Sequence, residues 1–280
     1  MIYKTEAGGQ QILRRYEETL AHWPVPAERR RVPTRHGETF VLVCGPENAP
    51  PLVLLHGAGT NAAMWLGDVT EWAAHFRVYA IDVIGEPGLS APSRPPLDST
   101  AYAQWLDDVL AHLGLDRVAL VGASLGGWLA LDFATRRPER VTKLALLCPG
   151  GVGSQKFGFV VKALFYKPFG RWGARRSVRA VAGVDVRTHP EVVDYLATTF
   201  SQFLPRRERL PVFADDALRK LTMPVLVIVG GRDAMFDSHD TVRRVDATMP
   251  HATVVLLPDV AHSIIGQTRS ITEFLRDQQQ

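Results

Sequence analysis

Residues 117–127 read Arg117-Val118-Ala119-Leu120-Val121-Gly122-Ala123-Ser124-Leu125-Gly126-Gly127. Arg117–Val121 is an apolar run of strand length, and Ser124–Arg136 has the spacing of a helix. The turn between them carries the G-x-S-x-G pattern in its strand–turn–helix setting. Such a turn is sharp enough to strain the serine backbone. Small residues two positions either side let strand and helix close together. The Ser124 hydroxyl should then stand above the C-terminal edge of a sheet, at the positive end of a helix. A dinucleotide fingerprint would need G-x-G-x-x-G, and Ser124 stands where its second glycine would be.

A serine nucleophile needs a base, and the base an orienting acid. His262 follows the expected last strand in Pro258-Asp259-Val260-Ala261-His262, at the same edge as Ser124, where open α/β sheets build their sites. His22, His75 and His112 lie in or near helices, His189 lies in a central irregular region, and His251 precedes its strand. Asp233, in Gly230-Gly231-Arg232-Asp233, follows the run Pro224–Val229 and is the expected acid. Asp237, before Ser238-His239, reads as a helix N-cap. The resulting order, Ser124, Asp233, His262, is that of α/β-hydrolases.

The oxyanion requires two backbone donors. Leu125 N–H, next after the nucleophile, supplies one. Ala58 N–H, in the His56-Gly57-Ala58-Gly59 turn after Pro51–Leu55, supplies the other. His56 reads as part of that loop and not as a base. Asp82 ends a strand and reads as an acceptor for donors of the Gly85–Gly88 turn. No His, Cys or carboxylate pair near the sheet edge has helical ligand spacing, so neither a metal nor a cofactor is expected.

Around this motif, Phe40–Cys44, Pro51–Leu55, Arg77–Asp82, Val141–Cys148, Pro224–Val229 and Thr253–Leu257 read as strands. Asn61–Phe76, Thr100–Leu113, Ser238–Met249 and Ile264–Arg276 read as helices. The alternation implies a mostly parallel central sheet flanked by helices. It lapses over residues 151–213, where Phe157–Tyr166 and Val192–Phe203 have helical patterns and no strand is evident. The expected division is a core of residues 1–150 and 214–280, interrupted by a mainly helical insertion at 151–213.

At 280 residues, one large domain with an insertion is the natural size class. No apolar run is long enough for a membrane span. The first residues lack the apolar segment of a signal peptide, and Cys44 and Cys148 read as buried reduced thiols; a cytoplasmic location is expected. The formal charge of +3 argues against nucleic acid as a partner. Residues 151–213 nevertheless hold eleven Lys or Arg against four Asp or Glu, which reads as a solvated basic surface.

From about Pro51 to Phe274 the chain resembles the α/β-hydrolase superfamily, through His56-Gly57, Asp82-Val83-Ile84-Gly85, the Ser124 turn, Gly230-Gly231-Arg232-Asp233 and Val260-Ala261-His262. Ile81-Asp82-Val83-Ile84-Gly85 and the stretch from Tyr102 to Val109 are similar to bacterial carboxylesterases that act on naproxen esters. The resemblance implies that residues 151–213 cap the site and that a small-molecule ester acylates Ser124. The family's D-x-x-G-x-G-x-S turn carries one extra residue here, between Asp82 and Ser90. Serine at position 124 excludes the branches with a carboxylate nucleophile, and Ser263 stands where carbon–carbon hydrolases often have Trp. Carbon–carbon cleavage, acyl transfer and a non-catalytic receptor of the same fold remain the competing readings, and the oligomeric state is open.

Overall fold

The structure is a computed structural model in which residues 1–156, 158 and 165–277 are described. Phe157, and most of the helix expected over Phe157–Tyr166, lie outside the described residues.

The chain opens with helix α1 (Glu6–Leu20), capped by the Thr5 hydroxyl, which accepts from Gly8 N–H at 3.0 Å. Strands β1 (Ala27–Thr34) and β2 (Gly37–Cys44) form an antiparallel hairpin. Then follow β3 (Pro51–Leu55), the short helix α2 (Val69–Ala73), β4 (Arg77–Ile81), α3 (Ala101–His112), β5 (Val118–Ala123), α4 (Leu125–Arg136) and β6 (Val141–Leu147). Helices α5 (Gly170–Ala182), α6 (Pro190–Gln202) and α7 (Asp215–Leu218) precede β7 (Val225–Gly230), α8 (Ser238–Thr248), β8 (Thr253–Leu257) and α9 (Thr268–Arg276).

The eight strands lie in the order β1-β2-β4-β3-β5-β6-β7-β8. β2 pairs antiparallel with β4, and from β4 to β8 every pairing is parallel. Period-two alternation divides the strand side chains between two cores. Val41, Val53, Ile81, Leu120, Leu146 and Val227 face one cluster, which α3 and α4 complete with Trp105, Leu106, Leu129 and Phe133. Leu42, Leu54, Ala80, Val121, Ala145 and Ile228 face the other, with Trp65, Trp72 and Ile271. Both faces are covered, so the central strands are apolar throughout, as parallel strands between helices must be. Among the described residues no helix is long and apolar enough to cross a membrane.

Two expected helices are interrupted. Asn61–Phe76 is a 3-10 turn at Ala62–Trp65 followed by the five-residue α2. Asn61 caps the turn, and Gly67 and Asp68 separate it from α2; the Trp65 and Trp72 rings pack 5.7 Å apart across the break. Ile264–Arg276 is helical only from Thr268, because Gly266 sits in the left-handed region at φ +79°.

Helices α5 and α6 pack on each other through Val178, Val193, Leu196 and Ala197. Arg15 of α1 reaches α6, donating to the Asp194 carbonyl at 3.1 Å and the Thr198 hydroxyl at 2.7 Å.

Candidate active site

Ser124 has φ 52° and ψ −109°, between β5 and α4. A non-glycine residue holds such a conformation only when its surroundings fix it. Here Ser124 N–H donates to the Leu147 carbonyl at 2.9 Å, and its own carbonyl accepts from Trp128 N–H at 3.0 Å and Gly150 N–H at 3.2 Å. The flanking glycines make the close approach possible. A Cβ on Gly122 would strike the Gly126 carbonyl, and one on Gly126 would strike that of Leu55.

Asp233 and His262 lie beyond the ends of β7 and β8. The two loops are tied by Gly231 N–H to the Leu257 carbonyl, 2.8 Å, and Arg232 N–H to the Val260 carbonyl, 2.9 Å. His262 Nδ1 lies 2.8 Å from Asp233 Oδ2. The other carboxylate oxygen accepts from Met235 N–H at 2.7 Å and Phe236 N–H at 3.1 Å. The Asp233 side chain is 1% exposed. Burial opposes its charge, but the His262 hydrogen bond and charge and the two N–H donors outweigh it, holding the carboxyl below its ordinary value. The Phe236 ring packs on the imidazole at 5.4 Å. Asp237 turns away and caps α8, accepting from His239 and Asp240 N–H, each at 3.1 Å.

Ser124 therefore shares one sheet edge with a formed Asp233–His262 pair, and His262 Nε2 is the ring nitrogen left over. Among the described residues Ser124 Oγ has no hydrogen-bond partner. His251 is at the opposite edge, with Nε2 3.1 Å from the Met223 carbonyl.

Ala58 and Leu125 N–H have no partner among the described residues, which leaves both available to an anion. The loop bearing Ala58 passes close to the nucleophile: a Cβ on Gly57 would lie 3.6 Å from Ser124 Cβ. His56 is fully buried and anchors that loop. Its Nε2 accepts from Val83 N–H at 2.9 Å, so Nδ1 carries the proton and donates to the Gly57 carbonyl at 2.9 Å. Burial lowers its pKa to about 4. Asp82 accepts from Leu89 N–H at 2.7 Å, Ala62 N–H at 2.9 Å and the Tyr16 hydroxyl at 2.8 Å. These donors lie outside the Gly85–Gly88 turn, so the expected acceptor role holds with different partners.

Sequence spacing gave no reason to place Cys148 here. It directly follows β6, at φ 42°, buried, and its sulfur lies with one ligand atom each of Asp233 and His262, all within 4.8 Å of one another. Burial and the neighbouring Asp233 charge push the thiol pKa well up. The three groups thus form a hydrogen-bonded acid–base pair with a neutral thiol beside it. The only possible signal was positional, since Cys148 directly follows the strand next to β7.

Part of the segment 151–213 borders the site. Ser263 N–H, next to His262, donates to the Ala182 carbonyl at 3.0 Å, and Gly183 packs against Ala261. The Phe200 ring covers Gly59, and the Tyr195 hydroxyl accepts from Asn61 Nδ2 at 2.7 Å. Phe203 is fully buried with Ile2 and Ile12.

A family model described as the alpha/beta hydrolase family matches residues 52–271. The chain is 31% identical over 273 residues to the carboxylesterase nap of Bacillus subtilis, covering 91% of this chain and 87% of the relative. It is 29% identical over 269 residues to the carboxylesterase YbfK of the same organism, covering 94% and 90%. The crystal structure of carboxylesterase CesB (YbfK) from Bacillus subtilis superposes with a TM-score of 0.85 at 28% identity, over 96% of this chain and 99% of that one. The naproxen esterase (carboxylesterase NP) of Bacillus subtilis superposes at 0.82 and 28%, over 98% of each.

Proposed function

The chain belongs to the alpha/beta hydrolase family, and from that premise we propose that it is a serine carboxylesterase acting through Ser124, His262 and Asp233. The observation that carries this reading is the strained Ser124 turn at the sheet edge that also bears the 2.8 Å Asp233–His262 contact.

Ser124 Oγ attacks the ester carbonyl carbon while His262 Nε2 takes the hydroxyl proton. Asp233 holds Nδ1–H, fixing the tautomer and favouring the imidazolium as it forms. The carbonyl oxygen becomes an oxyanion, held by Ala58 and Leu125 N–H and by the positive end of α4. Collapse expels the alcohol, which receives the proton from His262. Water then attacks the acyl-enzyme with His262 as base, releasing the acid and restoring Ser124.

Residues 151–213 act as a cap over residues 1–150 and 214–280. The contacts of Ala182 with Ser263, of Gly183 with Ala261 and of Phe200 with Gly59 support this division. Small-molecule esters are the substrate class, and esters of naproxen-like arylpropionic acids are the narrower proposal, drawn from the naproxen esterase relative. The buried free thiols of Cys44 and Cys148 support a cytoplasmic location. Turnover of a panel of activated esters, abolished in Ser124→Ala, tests the reading. A panel left untouched by the wild-type chain contradicts it.

A further inference from the structure

Glu86 is 1% exposed, and the Gly59 N–H, 2.6 Å from Oε2, is its one hydrogen-bond donor among the described residues. Among the described residues no ion pair reaches it. The nearby arginines are engaged elsewhere: Arg94 donates to the carbonyls of Gly85, 2.9 Å, and Leu204, 2.7 Å, and Arg206 bonds Glu208, the Pro95 carbonyl and the Tyr102 hydroxyl. A buried carboxylate so sparsely satisfied costs stability compared with an apolar side chain of the same size. Its position is functional in geometry. Gly59 directly follows Ala58, at φ +71°, in the loop that passes against Ser124.

The Asp82–Ser90 turn, which carries one extra residue, runs beside the loop that bears Ala58. That turn grips residues 56–62 at four points: Val83 N–H on His56, Glu86 on Gly59 N–H, the Pro87 carbonyl on Asn61 Nδ2 at 2.8 Å, and Asp82 on Ala62 N–H. Of these four contacts, only that of Glu86 falls on a residue adjacent to Ala58.

We propose that Glu86 is a positioning residue: by accepting Gly59 N–H, its carboxylate fixes the turn that aims Ala58 N–H at the oxyanion. The proposal rests on the esterase reading above. Arg94 and Arg206 supply the positive field that favours the carboxylate, while Tyr3 and Tyr102 face it from the N-terminal segment and α3, and Asp82 stands in its own turn. Burial raises the Glu86 pKa from 4.5 to about 7, against the Gly59 bond and those two arginines. A charged acceptor holds an N–H more strongly than a neutral one. The grip on Gly59 therefore tightens as pH rises through about 7. Stability moves the other way. The folded chain binds this proton more tightly than the unfolded chain, so the Glu86 contribution falls as pH rises from about 4.5 to about 7.

These opposite trends separate positioning from mere packing. Kinetics on an activated ester and thermal unfolding near pH 8 are compared for wild type, Glu86→Leu, Glu86→Gln and Ser124→Ala. Glu86→Leu should lower kcat by about a hundredfold with KM little changed, the cost of a misplaced oxyanion donor. Its Tm near pH 8 should equal or exceed that of wild type. Glu86→Gln, with a neutral acceptor of similar reach, should fall by about tenfold, less than Glu86→Leu. A Glu86→Leu chain with wild-type kcat, or one whose activity falls only in step with its folded fraction, overturns the proposal. Activity surviving in Ser124→Ala overturns the esterase reading beneath it, and is told apart by that variant alone.

Discussion

Asp233 Oδ2 meets His262 Nδ1 at 2.8 Å, while Oδ1 is fully occupied by the Met235 and Phe236 N–H groups. The carboxylate therefore cannot swing away, and the imidazole it holds presents only Nε2 to the rest of the site. Four residues on, Asp237 spends both its contacts on the first turn of α8.

This contrast separates the two acids. Asp233→Asn should lower kcat by something on the order of ten thousandfold, the size of effect seen when the corresponding acid of a protease triad is neutralised. Asp237→Asn keeps an N-cap acceptor and should leave kcat within about threefold, because Asn caps nearly as well as Asp. Steady-state kinetics of the two folded variants decides it. Equal losses would show that Asp233 does not orient the base.

The segment 151–213 separates its aromatics by burial. Phe200 lies on Gly59 and is partly exposed, whereas Phe203 is sealed among Ile2, Ile12 and Tyr3. Phe200→Ala should shift the ratio of kcat/KM between short and bulky esters with little change in Tm. Phe203→Ala should cost about 3 to 5 kcal/mol of stability, the usual loss for a buried Phe. A substrate profile unchanged in Phe200→Ala would mean that this part of the segment does not shape the pocket.

His56 gives the fold a dependence on acid. Its folded pKa is about 4, while the unfolded ring titrates near 6.5. Between those values the unfolded chain binds the extra proton and the folded chain does not. Stability from this residue is therefore complete above about 6.5 and drains away as pH falls toward 4, by something on the order of 3 kcal/mol. Asp82, raised to about 6 by burial, runs in the opposite sense. Comparison with His56→Gln isolates the histidine. The variant should be less stable near neutral pH, and urea unfolding should find the gap to wild type narrowing toward pH 4.5. A constant gap would mean that His56 is not buried as a neutral ring.

Much of this was legible in sequence because the chemistry and the fold share one set of signals. Pro51–Leu55 and Thr253–Leu257 are strands over the expected residues, since apolar runs bounded by turn residues have few other ways to pack. Ser124, Asp233 and His262 each follow the C-terminal end of a strand, so reading the strands also located the edge. β1 was not legible: Ala27–Thr34 is an edge strand whose Glu and Arg side chains face solvent, with Val32 alone deeply buried. Helix α5 was hidden by its glycines and arginines, because its apolar face is set by contact with α6. Cys148 and Glu86 escaped as parts of the site for a related reason. Their places depend on which strands and turns lie side by side, and periodicity along one element carries no record of its neighbours.

Covalent labelling tests most directly whether Ser124 is the nucleophile of a His262-dependent esterase. The chain is incubated with a fluorophosphonate probe, and the intact mass and the labelled peptide are read by mass spectrometry. One adduct per chain on Ser124, absent in Ser124→Ala and strongly slowed in His262→Ala, is the predicted result. Labelling that persists at the wild-type rate in folded Ser124→Ala would contradict it.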